Sequence, residues 1–379
     1  MKTTELFKDF FESEKSGGLI LIVCTIISLV LANSIVSSTY LHFWHTSFYE
    51  QPIEYWINDG LMTIFFLLIG LELEREIYQG ELSSIKNALL PIFGAIGGML
   101  IPAVLYMFFN YGTPAHTGAG IPMATDIAFA LGILSLLGNR VPTSLKIFLT
   151  ALAVIDDLGA IIVIAVFYTK TLFWDNLLIA LGIFSFLLIL NRLKVRNLIP
   201  YIIGGIAMWY FMLHSGIHAT ITGVLLAFAI PFGNGNKKST SFILQHFLHK
   251  PVAFIILPIF ALANTAIILT SDVGEILVQH YSIGILLGLI IGKPLGIFTL
   301  SYLAVKLGIC KLPDDLNWKS IISMGFLGGI GFTMSIFVTL LAFEDQTIIN
   351  NAKFVILISS LIAGVIGFLS LKSTLKMKQ

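Results

Sequence analysis

Long apolar segments separated by short polar breaks recur along the chain from Gly17 to Leu371. A helix needs about 20 predominantly apolar residues to cross a bilayer, and this pattern predicts about twelve crossings. The predicted crossings cover residues 17–36, 59–78, 88–109, 121–138, 143–169, 175–191, 198–213, 216–232, 251–270, 281–305, 318–342 and 352–371. We therefore expect an all-α polytopic membrane protein, with one transmembrane domain over residues 1–379 and a helical bundle over about 17–371.

Composition supports this fold class. The chain is 57% hydrophobic and 11% charged, whereas soluble domains are typically about 25% charged. No polar stretch is long enough to bury a core of its own, so no separate soluble domain and no nucleic-acid partner are expected. The two cysteines, Cys24 and Cys310, lie in different segments, and we expect neither a disulfide nor a cysteine metal site.

The first residues do not have the pattern of a cleaved signal peptide. Four acidic residues are mixed with apolar residues at Leu6, Phe7, Phe10 and Phe11, ahead of the first apolar segment. This amphipathic spacing predicts a short helix at the membrane interface over about residues 4–14.

The basic residues indicate the direction of the crossings. With the N-terminus in the cytoplasm and alternating crossings, the inward segments hold 19 of the 22 Lys and Arg residues. The outward segments hold only Lys170 and Lys353. Cytoplasmic loops of membrane proteins carry an excess of Lys and Arg, so both termini are predicted to be cytoplasmic.

Four charged residues lie inside apolar sequence: Asp126, Asp156, Asp157 and Lys293. Each charge at mid-membrane costs roughly 2.5–3.5 kcal/mol on insertion scales, so a function is the default expectation. Adjacent helical residues point about 100° apart, so Asp156 and Asp157 cannot both face one partner. Our hypothesis is that one of the two carboxylates faces a cation path while the other pairs with Lys293.

Buried carboxylates suit cation transport. An ionised carboxylate supplies oxygen ligands to a hard monovalent cation, and the protonated group does not, so proton and cation compete for one site. Competition at a site that opens alternately to each side is an antiport mechanism. The alternative is a static ion-pair network between helices, which would leave three acids against one base uncompensated.

Two other classes of protein fit the sequence less well. A passive cation channel favours rings of repeated ligands, and this chain has a single asymmetric site. An intramembrane aspartyl protease needs two aspartates that face each other from separate helices. Adjacent aspartates on one helix cannot do this, although Asp126 with Asp157 could, and Lys293 has no role in such an enzyme.

Glycines and a proline crowd two of the crossings. Gly120 and Pro122 precede Asp126 in the fourth crossing, and the eleventh reads MGFLGGIGFTMSIF. Such interruptions, one in each half of the chain, indicate discontinuous helices around a binding site at mid-membrane. Close packing of small residues between continuous helices explains the same glycines equally well.

The motifs ATDIAFALG, TALAVIDDLGAI, IGKPLGI and GGIGFTMSIF closely resemble the NhaA family of bacterial sodium/proton antiporters. The resemblance runs from about Ser16 to the last crossing. It implies inverted-topology repeats with two interrupted, crossing helices in the bacterial inner membrane. It also implies a secondary transporter, not an enzyme, that exports cytoplasmic Na⁺ or Li⁺ in electrogenic exchange for external H⁺, is active at alkaline pH and needs no cofactor.

The resemblance also assigns residues. It makes Asp157 the principal carboxylate for cation and proton, with Asp156 beside it. Thr125 and Asp126, in the interrupted fourth helix, complete the candidate ion- and proton-binding set, and Lys293 is the counter-charge in the tenth. The glycines of the interrupted eleventh helix are Gly328, Gly329 and Gly331.

The family's pH sensor lies at the cytoplasmic side. The corresponding candidates here are Glu72, Arg75, Glu76, His246 and His249. Two residues depart from the family pattern, since Gln245 stands where a glutamate is usual and Glu74 stands where a basic residue is common. Histidine titrates in the required range, although the two histidines are equally compatible with ordinary loop residues. His218, in SGIHAT, is expected to be a hydrogen-bonded core residue.

The first external loop, SSTYLHFWHTSFYEQPIEYW, is compatible with a small extended hairpin. In the family such a hairpin joins two protomers, so the resemblance implies a homodimer within membrane lipid. The loop here is shorter than usual, which leaves the dimer interface open.

Overall fold

The computed structural model describes residues 2–169, 171–269 and 273–375, and the side chains of these except residues 2–15 and 139. The described chain is almost entirely helical, which confirms the predicted fold class. Its helices are α1 (Lys2–Ala32), α2 (Ser37–His45), α3 (Ile53–Tyr78), α4 (Ile85–Asn110), α5 (Ile127–Ser135), α6 (Thr143–Phe167), α7 (Trp174–Arg192), α8 (Ile199–Leu213), α9 (Ile221–Ala229), α10 (Thr240–Asn264), α11 (Val273–Leu277), α12 (His280–Lys306), α13 (Trp318–Gly328), α14 (Phe332–Ala342) and α15 (Gln346–Thr374).

Shorter elements complete the described chain. One antiparallel hairpin pairs strand β1 (Ser47–Phe48) with β2 (Gln51–Pro52). A 3₁₀ helix (Pro114–Met123) lies ahead of α5. Wider π-helical turns occur within α3 (Ile57–Leu61), α10 (Val252–Ile256) and α12 (Gly288–Gly292).

Length and composition identify the spanning segments. Within the described residues, eight helices are long and apolar enough to cross a membrane, or ten if each of two bent helix pairs is one span. The seventh and eighth predicted crossings correspond to the shorter helices α8 and α9. The protein is therefore an integral, multi-pass membrane protein.

The N-terminal boundary differs from the prediction. The interfacial helix expected over residues 4–14 is not a separate element, because α1 runs without a break into the first apolar segment. Gly17 and Gly18 do not end the helix. A side chain at Gly18 would lie 2.8 Å from the carbonyl oxygen of Ala128, so this glycine permits close packing on α5.

The chain forms two compact units. The first comprises Met1–Leu41, Ser84–Ala160 and Asn264–Gln379, and the second comprises His42–Ser83 and Ile161–Ala263. Within the first unit, two runs of three segments have the same plan. A long helix, a broken segment and another long helix follow one another from α4 to α6, and again from α12 to α15.

The two broken segments of the first unit cross in opposite directions. The Thr117 hydroxyl donates to the carbonyl oxygen of Ala342 at 2.9 Å, and the Ser335 hydroxyl donates to that of Ile121 at 2.7 Å. Nearer the break, the Asp126 N–H donates to the carbonyl oxygen of Ile330 at 2.7 Å. Residue numbers rise along one segment as they fall along the other, which is the relation expected of inverted repeats.

Both predicted roles of the glycines, interruption of the helix and close packing, apply to the eleventh crossing. The crossing is interrupted, since α13 and α14 meet at an angle of 50°. Yet Gly329 (φ −74°) and Gly331 (φ −87°) do not adopt left-handed backbone conformations. They provide space instead, because a side chain at Gly329 would collide with the carbonyl oxygen of Leu289 and one at Gly331 with the Ser335 hydroxyl.

The second unit contains the hairpin, α3 and helices α7 to α10. The hairpin turns through Tyr49 (φ 50°) and Glu50 (φ 64°), an uncommon conformation for residues with side chains. His218 is half-buried and its Nε2 lies 3.1 Å from the carbonyl oxygen of Tyr168, as expected of a hydrogen-bonded core histidine.

The approach of α4 to α12 yields a test of the packing. Gly97 and Gly296 face each other, and a Cβ on either would collide with the carbonyl oxygen of the other. We expect Gly97→Ala to lower the thermal unfolding temperature of the purified protein, since overpacking costs about 1–3 kcal/mol. Gly182→Ala is the matched control, because nothing lies within 4 Å of its added Cβ. The control should leave the unfolding temperature unchanged or raise it. An unaltered unfolding temperature for Gly97→Ala would contradict the described helix contact.

Candidate ion-binding site

A buried ion pair lies at the centre of the first unit. Lys293 Nζ donates to Asp156 Oδ2 at 2.6 Å, and neither side chain is exposed to solvent. The ammonium group also donates to the carbonyl oxygen of Met123, the last residue of the 3₁₀ helix. The predicted pairing of Lys293 with one of the adjacent aspartates is therefore present, and the partner is Asp156.

Lys293 has an unusual local backbone. It directly follows the π-helical turn Gly288–Gly292, a feature that often marks functional sites. Two glycines on neighbouring helices pack next to it. An added Cβ would lie 2.9 Å from Ile297 at Gly98 and 3.0 Å from Ile297 at Gly328, so these glycines permit close packing on α12.

Thr125 connects three segments at the pair. Its hydroxyl lies 2.7 Å from Asp156 Oδ2 and 2.8 Å from the carbonyl oxygen of Gly328, where α13 ends. A hydroxyl has one proton, so it donates to only one of these acceptors at a time. The Asp156 carboxylate is thus held by Lys293 and by a hydroxyl that has an alternative acceptor.

Asp126 has both of its carboxylate oxygens in hydrogen bonds. Oδ1 accepts from the backbone N–H of Phe129 at 3.0 Å, so Asp126 caps the N-terminus of α5. Oδ2 accepts from the hydroxyl of Thr333 and from its N–H at 3.1 Å, in the first turn of α14. One carboxylate therefore lies at the N-termini of two half-helices.

Asp157 is the exception among the three acids. It is 1% exposed, and neither Oδ1 nor Oδ2 has a hydrogen-bond partner among the described residues. Asp156 Oδ1 is likewise buried and unsatisfied. An unsatisfied buried polar group is costly and calls for an explanation. Three oxygens on adjacent residues are thus available for a proton or a cation.

The half-helix ends distribute charge around these groups. The positive N-terminal ends of α5 and α14 lie at Asp126, and the negative C-terminal end of the 3₁₀ helix lies at Lys293. All three ends are thereby neutralised locally. Asp157 receives neither kind of contact from the described residues.

The composition of the site does not suit a resident metal centre. Among the described residues no three His, Cys, Asp or Glu side chains are grouped so as to hold a metal ion. Two carboxylates with a nearby hydroxyl and backbone carbonyls are oxygen ligands, the type that hard cations prefer. This arrangement fits a transported cation that binds and leaves.

The predicted pH-sensing residues lie in the second unit. His249 Nε2 is 3.9 Å from Glu72 Oε1. The Arg75 guanidinium lies 5.5 Å from the centroid of the Phe242 ring, and His246 stacks on the same ring at 6.1 Å. These side chains form two adjacent groups on α3 and α10.

The remaining residues of that region are hydrogen-bonded or buried. Glu76 Oε2 accepts from the backbone N–H of Glu81 at 3.0 Å. Gln245 and Glu74, the two departures from the family pattern, are both buried, at 9% and 4% exposure. Glu74 is thus a buried acid and not a surface charge.

Sequence reasoning missed Thr333 and the backbone carbonyls of Met123 and Gly328. Thr333 immediately follows the glycine-rich break in GGIGFTMSIF, in the first turn of the second half-helix. A hydroxyl residue at that place was a usable signal. The carbonyl groups had no signal, because any residue type supplies one.

Comparison with known proteins gives one consistent result. The family model described as Na⁺/H⁺ antiporter 1 matches residues 8–371. The Na(+)/H(+) antiporter NhaA of Flavobacterium psychrophilum is 78% identical over 376 residues, 99% of this chain and 98% of that protein. Na(+)/H(+) antiporter NhaA 1 of Flavobacterium johnsoniae is 64% identical over 372 residues, covering 98% of each chain. The Na(+)/H(+) antiporter NhaA of Cytophaga hutchinsonii is 62% identical over 376 residues, 99% of this chain and 97% of that protein.

The buried ion pair predicts a specific stability defect. Lys293→Met leaves Asp156 buried without its partner, and breaking such a pair typically costs about 3–5 kcal/mol. We expect a lower thermal unfolding temperature for Lys293→Met, and partial recovery in the double variant Lys293→Met/Asp156→Asn. Lys237→Met, at an exposed position, should have no effect. A double variant as unstable as the sum of its two single variants would show that the two residues are not coupled.

Proposed function

Since the chain belongs to the Na⁺/H⁺ antiporter NhaA family, a family of secondary transporters and not of enzymes, we propose that it exports Na⁺ or Li⁺ in electrogenic exchange for H⁺ at Asp157 and Asp156. The observation that carries this assignment is the Asp157 carboxylate, which is buried with both oxygens unsatisfied among the described residues.

Competition for Asp157 couples the two ions. With a proton bound, the carboxyl group is neutral and compatible with its buried surroundings. With Na⁺ bound, the carboxylate is ionised and its charge is balanced by the cation. Empty and ionised, Asp157 would be an uncompensated buried charge beside Asp156. The site therefore changes its access from one side of the membrane to the other only with Na⁺ or H⁺ bound. This makes the exchange obligatory.

The other charged residues have separate roles in this proposal. Before a cation binds, Asp156 Oδ2 is paired with Lys293 and Oδ1 is free to accept the cation. Cation binding that draws Asp156 away from Lys293 would release a second proton from one of these two groups. More protons than sodium ions then move per cycle, which makes the exchange electrogenic. Asp126 acts chiefly as the cap that holds the two half-helices together.

The half-helices supply the moving parts. Thr125 can exchange its hydrogen bond between Asp156 and Gly328 without leaving its place. A change of charge at Asp156 therefore alters a contact to the end of α13. We propose that this exchange links ion binding to rearrangement of the two broken segments around a fixed site, as in alternating access.

The orientation of the chain in the membrane follows from the distribution of its basic residues. Both termini are assigned to the cytoplasm because the inward segments hold 19 of the 22 Lys and Arg residues. The membrane is the bacterial inner membrane, with lipid around the bundle. We propose that a homodimer forms through the hairpin of β1 and β2.

Activation at alkaline pH is assigned to the groups on α3 and α10. Protonation of His249 at low pH would strengthen its attraction to Glu72, which lies 3.9 Å away. The other candidates lie on the same two helices: Arg75 and Glu76 follow Glu72 on α3, and His246 precedes His249 on α10. We propose that these acidic and basic groups respond to pH together, as one coupled cluster.

The exchange activity is tested in membrane vesicles with an acidic lumen and a pH-sensitive dye. Na⁺ or Li⁺ added outside should cause proton efflux in the wild type. Asp157→Asn should abolish the efflux, because the amide cannot bind a proton or balance a cation. Asp175→Asn, at an exposed position on α7, should retain it. Sodium flux without proton movement, or an active Asp157→Asn variant, would contradict the assignment of ion exchange to Asp157.

Competition between H⁺ and Na⁺ for one site also determines how the apparent affinity for Na⁺ changes with pH. The proton is favoured at low pH, so the apparent affinity for Na⁺ must fall as pH falls. Below the titration of the site, the half-saturating Na⁺ concentration should rise about tenfold per pH unit for each competing proton. Initial exchange rates measured over a range of Na⁺ concentrations at several pH values check this. A half-saturating concentration that stays constant while only the maximal rate falls would exclude competition.

A further inference from the structure

The half-helix α14 begins at a residue that has no side chain to cap it. Its boundary residue is Gly331, and the first backbone bond inside the helix runs from the Ser335 N–H to the carbonyl oxygen of Gly331 at 2.8 Å. The N–H groups of Phe332, Thr333 and Met334 therefore have no acceptor within the helix. All three residues are buried. Acceptors for these groups have to come from other segments, because a buried N–H without a partner is costly.

Two side chains supply such acceptors. Asp126 Oδ2 accepts from the Thr333 N–H at 3.1 Å, as part of the candidate ion-binding site. Ser360 Oγ, on α15, accepts from the Phe332 N–H at 3.1 Å. Ser360 is 3% exposed, so this bond is shielded from water. Consecutive N–H groups of one helical turn are thus held by a carboxylate of the site and by a serine of the last helix.

Close packing keeps Ser360 in place beside the break. Gly364 lies one turn after Ser360 on the same face of α15. A Cβ added at Gly364 would lie 2.9 Å from Ile133 Cδ1, on α5, and 3.5 Å from Ile330 Cδ1, in the break between α13 and α14. This glycine therefore lets the backbone of α15 approach both interrupted crossings.

Phe332 transmits the position of Ser360 to Asp126. Its ring packs edge-on against that of Phe129, with the centroids 5.3 Å apart, and the Phe129 N–H donates to Asp126 Oδ1. Phe332 also directly precedes Thr333, whose N–H and hydroxyl both donate to Asp126 Oδ2. A shift of the Phe332 backbone moves these donors. The placement of the Asp126 carboxylate therefore depends on the acceptor that holds Phe332.

Loss of that acceptor has a defined consequence for the ion. Without Ser360 Oγ, the Phe332 N–H is left beside Asp126 Oδ2, which already accepts from the adjacent N–H and has to serve both. A carboxylate that accepts a further hydrogen bond is drawn toward α14 and its charge is more fully neutralised. The charges of Asp126 and Asp157 interact, so a cation at Asp157 then loses part of its attraction.

We propose that Ser360 is a positioning residue for the ion-binding site: by holding Phe332 it fixes the Asp126 carboxylate and thereby strengthens Na⁺ binding. Ser360 does not bind the ion; it acts through the backbone of α14 and through Asp126. The inference rests on the proposed exchange at Asp157.

The test measures the protons released when Na⁺ is added to the purified full-length protein in detergent. Ser360→Ala removes the acceptor and should raise the half-saturating Na⁺ concentration by about fivefold, the effect of one hydrogen bond of ordinary strength. The number of protons released at saturation should stay the same, whereas loss of folded protein would lower that number. Ser360→Thr keeps a hydroxyl and should restore the wild-type Na⁺ dependence.

The neighbouring serine provides a matched control. Ser359 is fully buried, but its hydroxyl donates within α15, to the carbonyl oxygen of Val355 at 2.7 Å. Ser359→Ala should therefore leave the half-saturating Na⁺ concentration unchanged. An unshifted Ser360→Ala variant, or an equal shift in Ser359→Ala, would overturn the role of Ser360.

Hydrogen–deuterium exchange separates this inference from the proposed function, because it needs no Na⁺. The peptide that contains Phe332 should exchange faster in Ser360→Ala than in the wild type or in Ser359→Ala. Equal exchange in all three proteins would overturn the cap itself. A wild type that releases no protons on Na⁺ addition would count against exchange at Asp157, whereas a normal wild-type response with an unshifted Ser360→Ala variant counts against Ser360 alone.

Discussion

The ion pair between Lys293 and Asp156 is the interaction around which the first unit is organised. Removing two charges from water costs several kcal/mol for each ion, and this is recovered only when the pair has good geometry and further hydrogen bonds. Those bonds come from Met123 and Thr125, both in the broken fourth crossing. The interruption of the fourth crossing thus supplies the hydrogen bonds that the buried pair requires.

The same requirement separates the three aspartates by their hydrogen-bond partners. Asp126 is satisfied by the N-termini of two half-helices, and Asp156 by a lysine and a hydroxyl. A static network that merely ties helices together would satisfy the third in the same way. Asp157 is buried without any such partner among the described residues. The energetic imbalance lies at this one residue, which is why we propose that an ion binds there.

Sequence patterns predicted what depends on composition and could not predict what depends on the backbone. Apolar segments gave the crossings, and charges inside them identified Asp126, Asp156, Asp157 and Lys293, because charged residues are rare in such segments. The π-helical turn ahead of Lys293 has no recognisable sequence signal. The double cap at Asp126 requires two segments that are about 200 residues apart in the chain to meet. The continuity of α1 was missed because the amphipathic spacing of residues 4–14 indicated a separate interfacial helix, whereas α1 continues through Gly18, which permits packing on α5.

The central claim is that one buried carboxylate binds either a proton or a cation. It is tested most directly by adding Na⁺ to the purified protein in a weakly buffered solution and measuring the protons that are released. We expect proton release that saturates with Na⁺ in the wild type and disappears in Asp157→Asn. Na⁺ binding without proton release, or equal release by the Asp157→Asn variant, would contradict it.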